Sequence, residues 1–192
     1  MNDWTNIVHQ TQHWVERVVV GLQLCPFAKP VLNKGLIRYV ICDEQDQGLI
    51  TDFLGRELEF LNEADPLQVE TTLLILPLIQ GDFLEFQFLV EACRKRLKVL
   101  RLKGVLQIAD FHPNYQFAGT DGDDVANATN RAPYPTLHLL REDSIERARA
   151  SGLSVNSIVD RNQQTLRSLG WEGLGFVLQN ANEINTNRDE NI

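Results

Sequence analysis

One stretch of the sequence collects side chains that could carry out chemistry. Asp110 and His112 stand two residues apart at its start, and Arg131 follows near its end. Three further carboxylates lie between them: Asp121, Asp123 and Asp124. Carboxylates and an imidazole bind divalent cations such as Mg²⁺, Mn²⁺ or Zn²⁺, and a guanidinium suits an anionic substrate group. The acidic residues and His112 are therefore candidate ligands of a divalent metal ion, and Asp110, His112 and Arg131 are candidate catalytic residues.

Each of these residues also has a structural interpretation. Asp121-Gly122-Asp123-Asp124 is typical of a solvated turn, and Asp110 can cap local backbone amides. Arg131 either meets a substrate or forms a salt bridge with Asp123 or Asp124, and the salt bridge is the favoured alternative. The acidic stretch is not an EF-hand loop, since it has no glutamate at the twelfth position.

The spacing of Asp110 and His112 carries a sharper prediction. Residues two apart in a strand point to the same face of the sheet, and Pro113 favours an extended His112. We expect both side chains to face one polar cavity. At least one carboxylate between Asp121 and Asp124 should fold back beside them.

The segment from Phe111 to Pro135 is too long for an ordinary connection. Three prolines restrict it, and four rings can anchor it: Phe111, Tyr115, Phe117 and Tyr134. We call residues 110–138, which include this segment, the lobe. The lobe should be ordered over one end of the sheet, with Phe111, Phe117 and Tyr134 largely buried.

Two residues outside the acidic stretch stay open as members of the site. His138 sits in an apolar strand and is typical of a core histidine, unless His112 or Cys25 lies beside it. Cys25 precedes Pro26 at the end of a predicted helix, where the helix dipole disfavours a thiolate. We therefore expect an unreactive thiol, and thiol chemistry with a histidine base ranks last.

Hydrophobic periodicity predicts the elements that would position these residues. Strands are predicted at residues 36–42, 71–76, 105–110 and 136–140. Helices are predicted at residues 4–24, 50–61, 83–103 and 154–169. A further short helix should begin at the capping-box candidate 143–146. Helices connect the first three strands, whereas none separates the last two. The sequence thus predicts one α/β domain over residues 1–179, with a four-stranded, mostly parallel or mixed sheet flanked by helices. Residues 180–192 are polar and predict a flexible tail.

Composition limits the classes of molecule that the protein can be expected to bind. A formal net charge of −8 disfavours nucleic acid and anionic lipid. No apolar run reaches the roughly 18 residues of a membrane span, and the N-terminus lacks a signal-peptide pattern. Three widely spaced cysteines predict reduced thiols and a cytoplasmic location.

Three strings carry a resemblance to a known family. LCPFAKP, GVLQIADFHPNYQF and NATNRAPYPTLHLLRED resemble an uncharacterised bacterial family known as domain of unknown function 1415. The resemblance spans roughly residues 4–169 and implies a small cytoplasmic bacterial protein without an assigned activity. From the residues, the first hypothesis is a small-molecule enzyme, such as a metal-assisted hydrolase of an anionic substrate, with its site in the lobe. The alternative is a non-catalytic binding or assembly module in which the lobe is structural.

Overall fold

Four short runs of β-branched and aliphatic residues form a single sheet. The computed structural model describes residues 3–79, 81–150 and 155–179. The strands are β1 (Ile37–Ile41), β2 (Thr71–Ile75), β3 (Leu106–Phe111) and β4 (Thr136–Arg141). The helices are α1 (Trp4–Trp14), α2 (Ala28–Asn33), α3 (Gln47–Glu63), α4 (Phe83–Val99), α5 (Glu142–Ala150) and α6 (Val155–Gln179).

The sheet is mixed, with the strand order β1-β2-β4-β3. β1 and β2 pair in parallel, and β4 is antiparallel to both of its neighbours. Strands β1, β2 and β3 therefore point the same way, and β4 returns between β2 and β3. An antiparallel return needs no crossover helix, and only a 3₁₀ turn, Val125–Thr129, lies between β3 and β4. The predicted α/β domain with a four-stranded sheet is confirmed, in its mixed form.

Two apolar layers cover the two faces of the sheet. On the first face, α3 and α4 pack against alternate residues of the strands, including Leu74, Leu106 and Leu139. Aspartates start both helices, because Asp46 and Asp82 accept hydrogen bonds from backbone amides of the first turn. On the second face lie Leu73 and its neighbours, covered by residues of α1 and α6 and by the 3₁₀ turn.

Several element boundaries differ from the sequence prediction. Helix α4 ends at Val99, and Arg101 (φ 58°) follows it in a left-handed conformation before the predicted end near residue 103. Helix α5 begins at Glu142, so Asp143 lies inside it and is not a cap. Gly170 has a φ of 67° and interrupts α6, whereas the helix was expected to end there. The predicted tail, 180–192, lies outside the described residues.

A π-helical turn, Val15–Val20, continues α1 where the sequence predicts ordinary helix. Its wider spacing shows in hydrogen bonds five residues apart, from Gly21 N to the Glu16 carbonyl and from Leu24 N to the Val19 carbonyl. Within the described residues, no helix is long and apolar enough to cross a bilayer.

Candidate functional site

Asp110 points toward α4, where its carboxylate has two partners. Arg94 Nη2 donates to Oδ1 at 2.9 Å and Gln87 Nε2 donates to Oδ2 at 2.9 Å. The Asp110 side chain is 8% exposed, whereas that of Arg94 is 37% exposed. The carboxylate thus ties the end of β3 to α4 through a half-buried ion pair.

His112 points to the same face as Asp110, as its spacing predicts, but the two residues have separate partners. The His112 ring packs on Phe86 at 5.1 Å and on Phe83 at 5.7 Å between ring centroids. Its Nδ1 accepts the Asn114 backbone N–H at 3.1 Å. Burial lowers the pKa of His112, and the nearby Asp82 carboxylate offsets part of that effect. A neutral ring packed among aromatic side chains fits a structural role better than the predicted polar cavity.

The acidic turn does not fold back beside Asp110 and His112 as ligands. Asp124 accepts the Ala126 backbone N–H and pairs with Arg167 at 2.8 Å, so it starts the 3₁₀ turn and joins it to α6. Asp121 and Asp123 are exposed. Across residues 3–79, 81–150 and 155–179, no group of three or more His, Cys, Asp or Glu side chains could hold a metal ion. The predicted metal ligands are therefore not brought together.

Arg131 holds the lobe through backbone carbonyls. Its Nε donates to the Tyr115 carbonyl at 3.0 Å, and its Nη2 donates to the Gly122 carbonyl at 2.7 Å. The guanidinium also lies 5.1 Å from the centre of the Trp171 ring. The expected salt bridge with Asp123 or Asp124 is wrong, because the turn offers carbonyl oxygens to Arg131 while Asp124 pairs with another arginine.

The order of the lobe comes from a buried amide that sequence reasoning missed. Asn127 Oδ1 accepts hydrogen bonds from the Phe117 backbone N–H and the Thr120 hydroxyl, and its Nδ2 donates to the Asp121 carbonyl. Asn127 is fully buried. Phe111, Phe117 and Tyr134 have most of their surface covered, as expected, although none of them belongs to the fully buried core.

The second face of the sheet borders a cavity of about 150 Å³. Leu73, His138 and Leu140 form part of its floor, and Trp14 and Val19 form part of its wall. The rest of the wall comes from the segment after the π-helical turn, from α2 and from the start of α5. Most of this surface is apolar. The cavity lies on the face opposite Asp110 and His112, and only the ends of the lobe contribute to it.

His138 is the best-defined polar group of the cavity. Thr71 Oγ1 lies 2.6 Å from the Leu139 carbonyl and 2.8 Å from His138 Nε2. Protein atoms enclose the ring, although the cavity leaves part of its surface accessible, and burial lowers the pKa of His138 to about 4. The ring is therefore neutral at physiological pH.

Cys25 also borders the cavity. Burial raises the pKa of its thiol, while hydrogen bonds from the backbone amides of Phe27 and Ala28 and the charge of Arg161 lower it in part. Within the described part of the chain, Cys25 and His138 share no hydrogen bond. Both open candidates of the sequence thus border one cavity, but they are not paired as nucleophile and base.

The fold and the cavity define a single-domain α/β protein with a partly open, mainly apolar space on one face of a mixed sheet. A family model described as "Protein of unknown function (DUF1415)" matches residues 6–175, and the chain belongs to this family. No curated protein and no solved structure matches the chain.

Proposed function

We propose that this protein binds a small, largely apolar molecule in the cavity on the second face of its sheet. The cavity itself carries the proposal. Ligand sites are typically concave and mostly apolar, with a few polar groups that orient the ligand. This cavity has that character, because carbon-rich side chains form most of its surface and His138 supplies a defined polar group.

The volume limits the ligand to a small size. Drug-sized ligands occupy pockets of roughly 300–1,000 Å³, whereas this space is about 150 Å³. A cavity of about this volume with apolar walls accepts benzene in an engineered protein. The ligand should therefore have roughly six to eight non-hydrogen atoms.

The contacts of the lobe favour ligand binding in the cavity over a catalytic centre in the lobe. Asp110, Asp124 and Arg131 have partners that fasten the lobe to α4, to α6 and to itself. A metal-assisted hydrolase with its centre in the lobe lacks a gathered ligand group within the described ranges. In the proposed function the lobe is architecture, and its two ends place Phe111 and His138 at the cavity.

Benzene is the probe that tests this proposal. Titration into isotopically labelled protein should give saturable chemical-shift changes at methyl groups that line the cavity, such as those of Val19, Val31 and Leu140. Ala28→Leu, which adds three carbons to the wall, should abolish these changes. Val31→Phe is a second filling variant, one turn further along α2.

The matched control is Ala118→Leu, which adds the same atoms at an exposed position of the lobe. It should bind benzene as the unaltered protein does. Shifts scattered over the surface, or shifts that persist in both filling variants, would refute binding in the cavity.

A further inference from the structure

The hydrogen bonds around His138 settle which of its ring nitrogens carries the proton. A carbonyl oxygen can only accept, so the 2.6 Å contact between Thr71 Oγ1 and the Leu139 carbonyl uses the single proton of the hydroxyl. In the 2.8 Å contact between Thr71 Oγ1 and His138 Nε2, the nitrogen must then be the donor. The proton of the neutral ring is on Nε2, and Nδ1 carries a lone pair.

That lone pair has no donor in the protein. Nothing in residues 3–79, 81–150 or 155–179 donates a hydrogen bond to Nδ1 of His138. The Cys25 thiol, which borders the same cavity, makes no hydrogen bond to the ring in these ranges. His138 therefore offers a fixed acceptor to whatever occupies the cavity.

Trp14 is a second polar residue that lines the cavity, but its indole N–H is shielded from it. Trp14 is buried, and its indole Nε1–H has no acceptor among the residues that the structure describes. Trp14 and His138 flank the same ring, with centroid distances to Phe111 of 5.2 Å and 6.2 Å. Because Nε1 of Trp14 is shielded even from water, the unpaired acceptor of His138 is the group that points to a polar atom of a ligand.

We infer that the ligand of this cavity carries a hydroxyl group, which donates a hydrogen bond to Nδ1 of His138. This inference rests on the proposed binding function and specifies its ligand class: a small phenol or a cyclic alcohol with an apolar body. A hydroxyl fits because it can donate to Nδ1 of His138 while the rest of the ligand meets the apolar walls. An ether or ketone of the same size would place a lone pair against the lone pair of Nδ1.

In this arrangement His138 determines specificity and Thr71 is a positioning residue. Thr71 never touches the ligand's hydroxyl in the proposed scheme. Its oxygen holds the proton on Nε2 and so keeps Nδ1 as an acceptor. A change of Thr71 should therefore alter which ligand is preferred, while leaving the apolar walls intact.

Three probes of similar size separate the possibilities: phenol, which can donate a hydrogen bond, anisole, which can only accept one, and toluene, which can do neither. Dissociation constants are measured by chemical-shift titration. Phenol should bind about 2- to 10-fold more tightly than toluene or anisole, the range expected for one neutral hydrogen bond. His138→Phe should reduce the phenol preference to near unity while still binding toluene.

Thr71→Val distinguishes the positioning role of Thr71 from a merely structural one. Without the threonine oxygen, the imidazole is no longer held in one tautomer, so the ratio of phenol to anisole affinity should fall while toluene affinity stays within about 2-fold. Equal affinities of the unaltered protein for all three probes would overturn the hydroxyl inference and leave the binding function in place. Failure of every probe to bind in the cavity would refute the binding function itself.

Discussion

Mild acid should destabilise the folded protein through His138. The pKa of this residue is lowered by burial to about 4, from an ordinary value of 6.5. A base with a depressed pKa in the folded state takes up a proton more readily when the chain unfolds. The resulting loss of stability is nearly absent above pH 7, grows as the pH falls through 6.5, and levels off below about 4.

The magnitude follows from the two pKa values. At pH 5 the unfolded chain gains roughly a 30-fold statistical advantage from protonation of this histidine, or about 2 kcal/mol. At pH 4 the same calculation gives about 3 kcal/mol. With a pKa shift half as large, the same calculation gives about 1.5 kcal/mol at pH 5.

Urea denaturation at pH 7 and pH 5, for the unaltered protein and for His138→Gln, measures the effect. Carboxylates and the other histidines titrate in both proteins, so their contributions cancel in the difference. Between the two pH values the unaltered protein should lose about 2 kcal/mol more free energy of unfolding than the variant does. An equal loss in both would refute the argument that His138 is neutral and desolvated. An NMR titration of the His138 ring protons, with a midpoint expected near pH 4, tests the same point without a substitution.

Three further predictions concern the lobe and the thiol. Arg94→Ala should lower the free energy of unfolding by about 1–3 kcal/mol, because it leaves the buried Asp110 carboxylate without its cation. Lys95→Ala, at the next, exposed position, should change the free energy of unfolding by less than about 0.5 kcal/mol. Similar effects of the two substitutions in urea denaturation would contradict the role assigned to the Arg94–Asp110 pair. Asn127→Ala should lower the free energy of unfolding by about 2–4 kcal/mol and speed proteolysis within the lobe, since the hydrogen bonds of a fully buried residue are lost. Unchanged cleavage would show that the amide does not order the lobe. Cys25 should react slowly with iodoacetamide at pH 7 and faster as the pH rises past 9, because burial raises the pKa of its thiol. Rapid alkylation of Cys25 below pH 7 would contradict the raised pKa.

The strands were predictable because local pattern alone specifies them. Thr71–Ile75 is a near-continuous apolar run and is buried on both faces, as that pattern indicates. The place of β4 between β2 and β3 was not predictable, because strand order depends on which edges remain open after the earlier elements have packed. The π-helical turn was missed for a related reason, since Val15–Val20 has the periodicity of ordinary helix and its widening follows from packing.

At the candidate site, the sequence predicted directions but not partners. Alternation along β3 correctly placed Asp110 and His112 on one face. It could not show that Arg94 and aromatic residues of α4 would meet them there, because those contacts join separate helical and strand segments. The cavity was missed altogether, since its residues are scattered from Trp14 to Ile145 and no motif links them.

The position of β4 has a consequence for how the chain reaches its folded state during synthesis. Among the residues that the structure describes, β3 pairs with β4 and with no other strand, and β4 is made last of the four. Until Thr136–Arg141 leaves the ribosome, β2 lacks one strand partner and β3 lacks any, so both strands present unpaired backbone groups. Unpaired strand edges readily join edges on other chains. Nascent chains that stall within the lobe should therefore be far more prone to aggregation than those released just after β4, and the protein should depend on rapid completion of its last third or on chaperones that shield these edges.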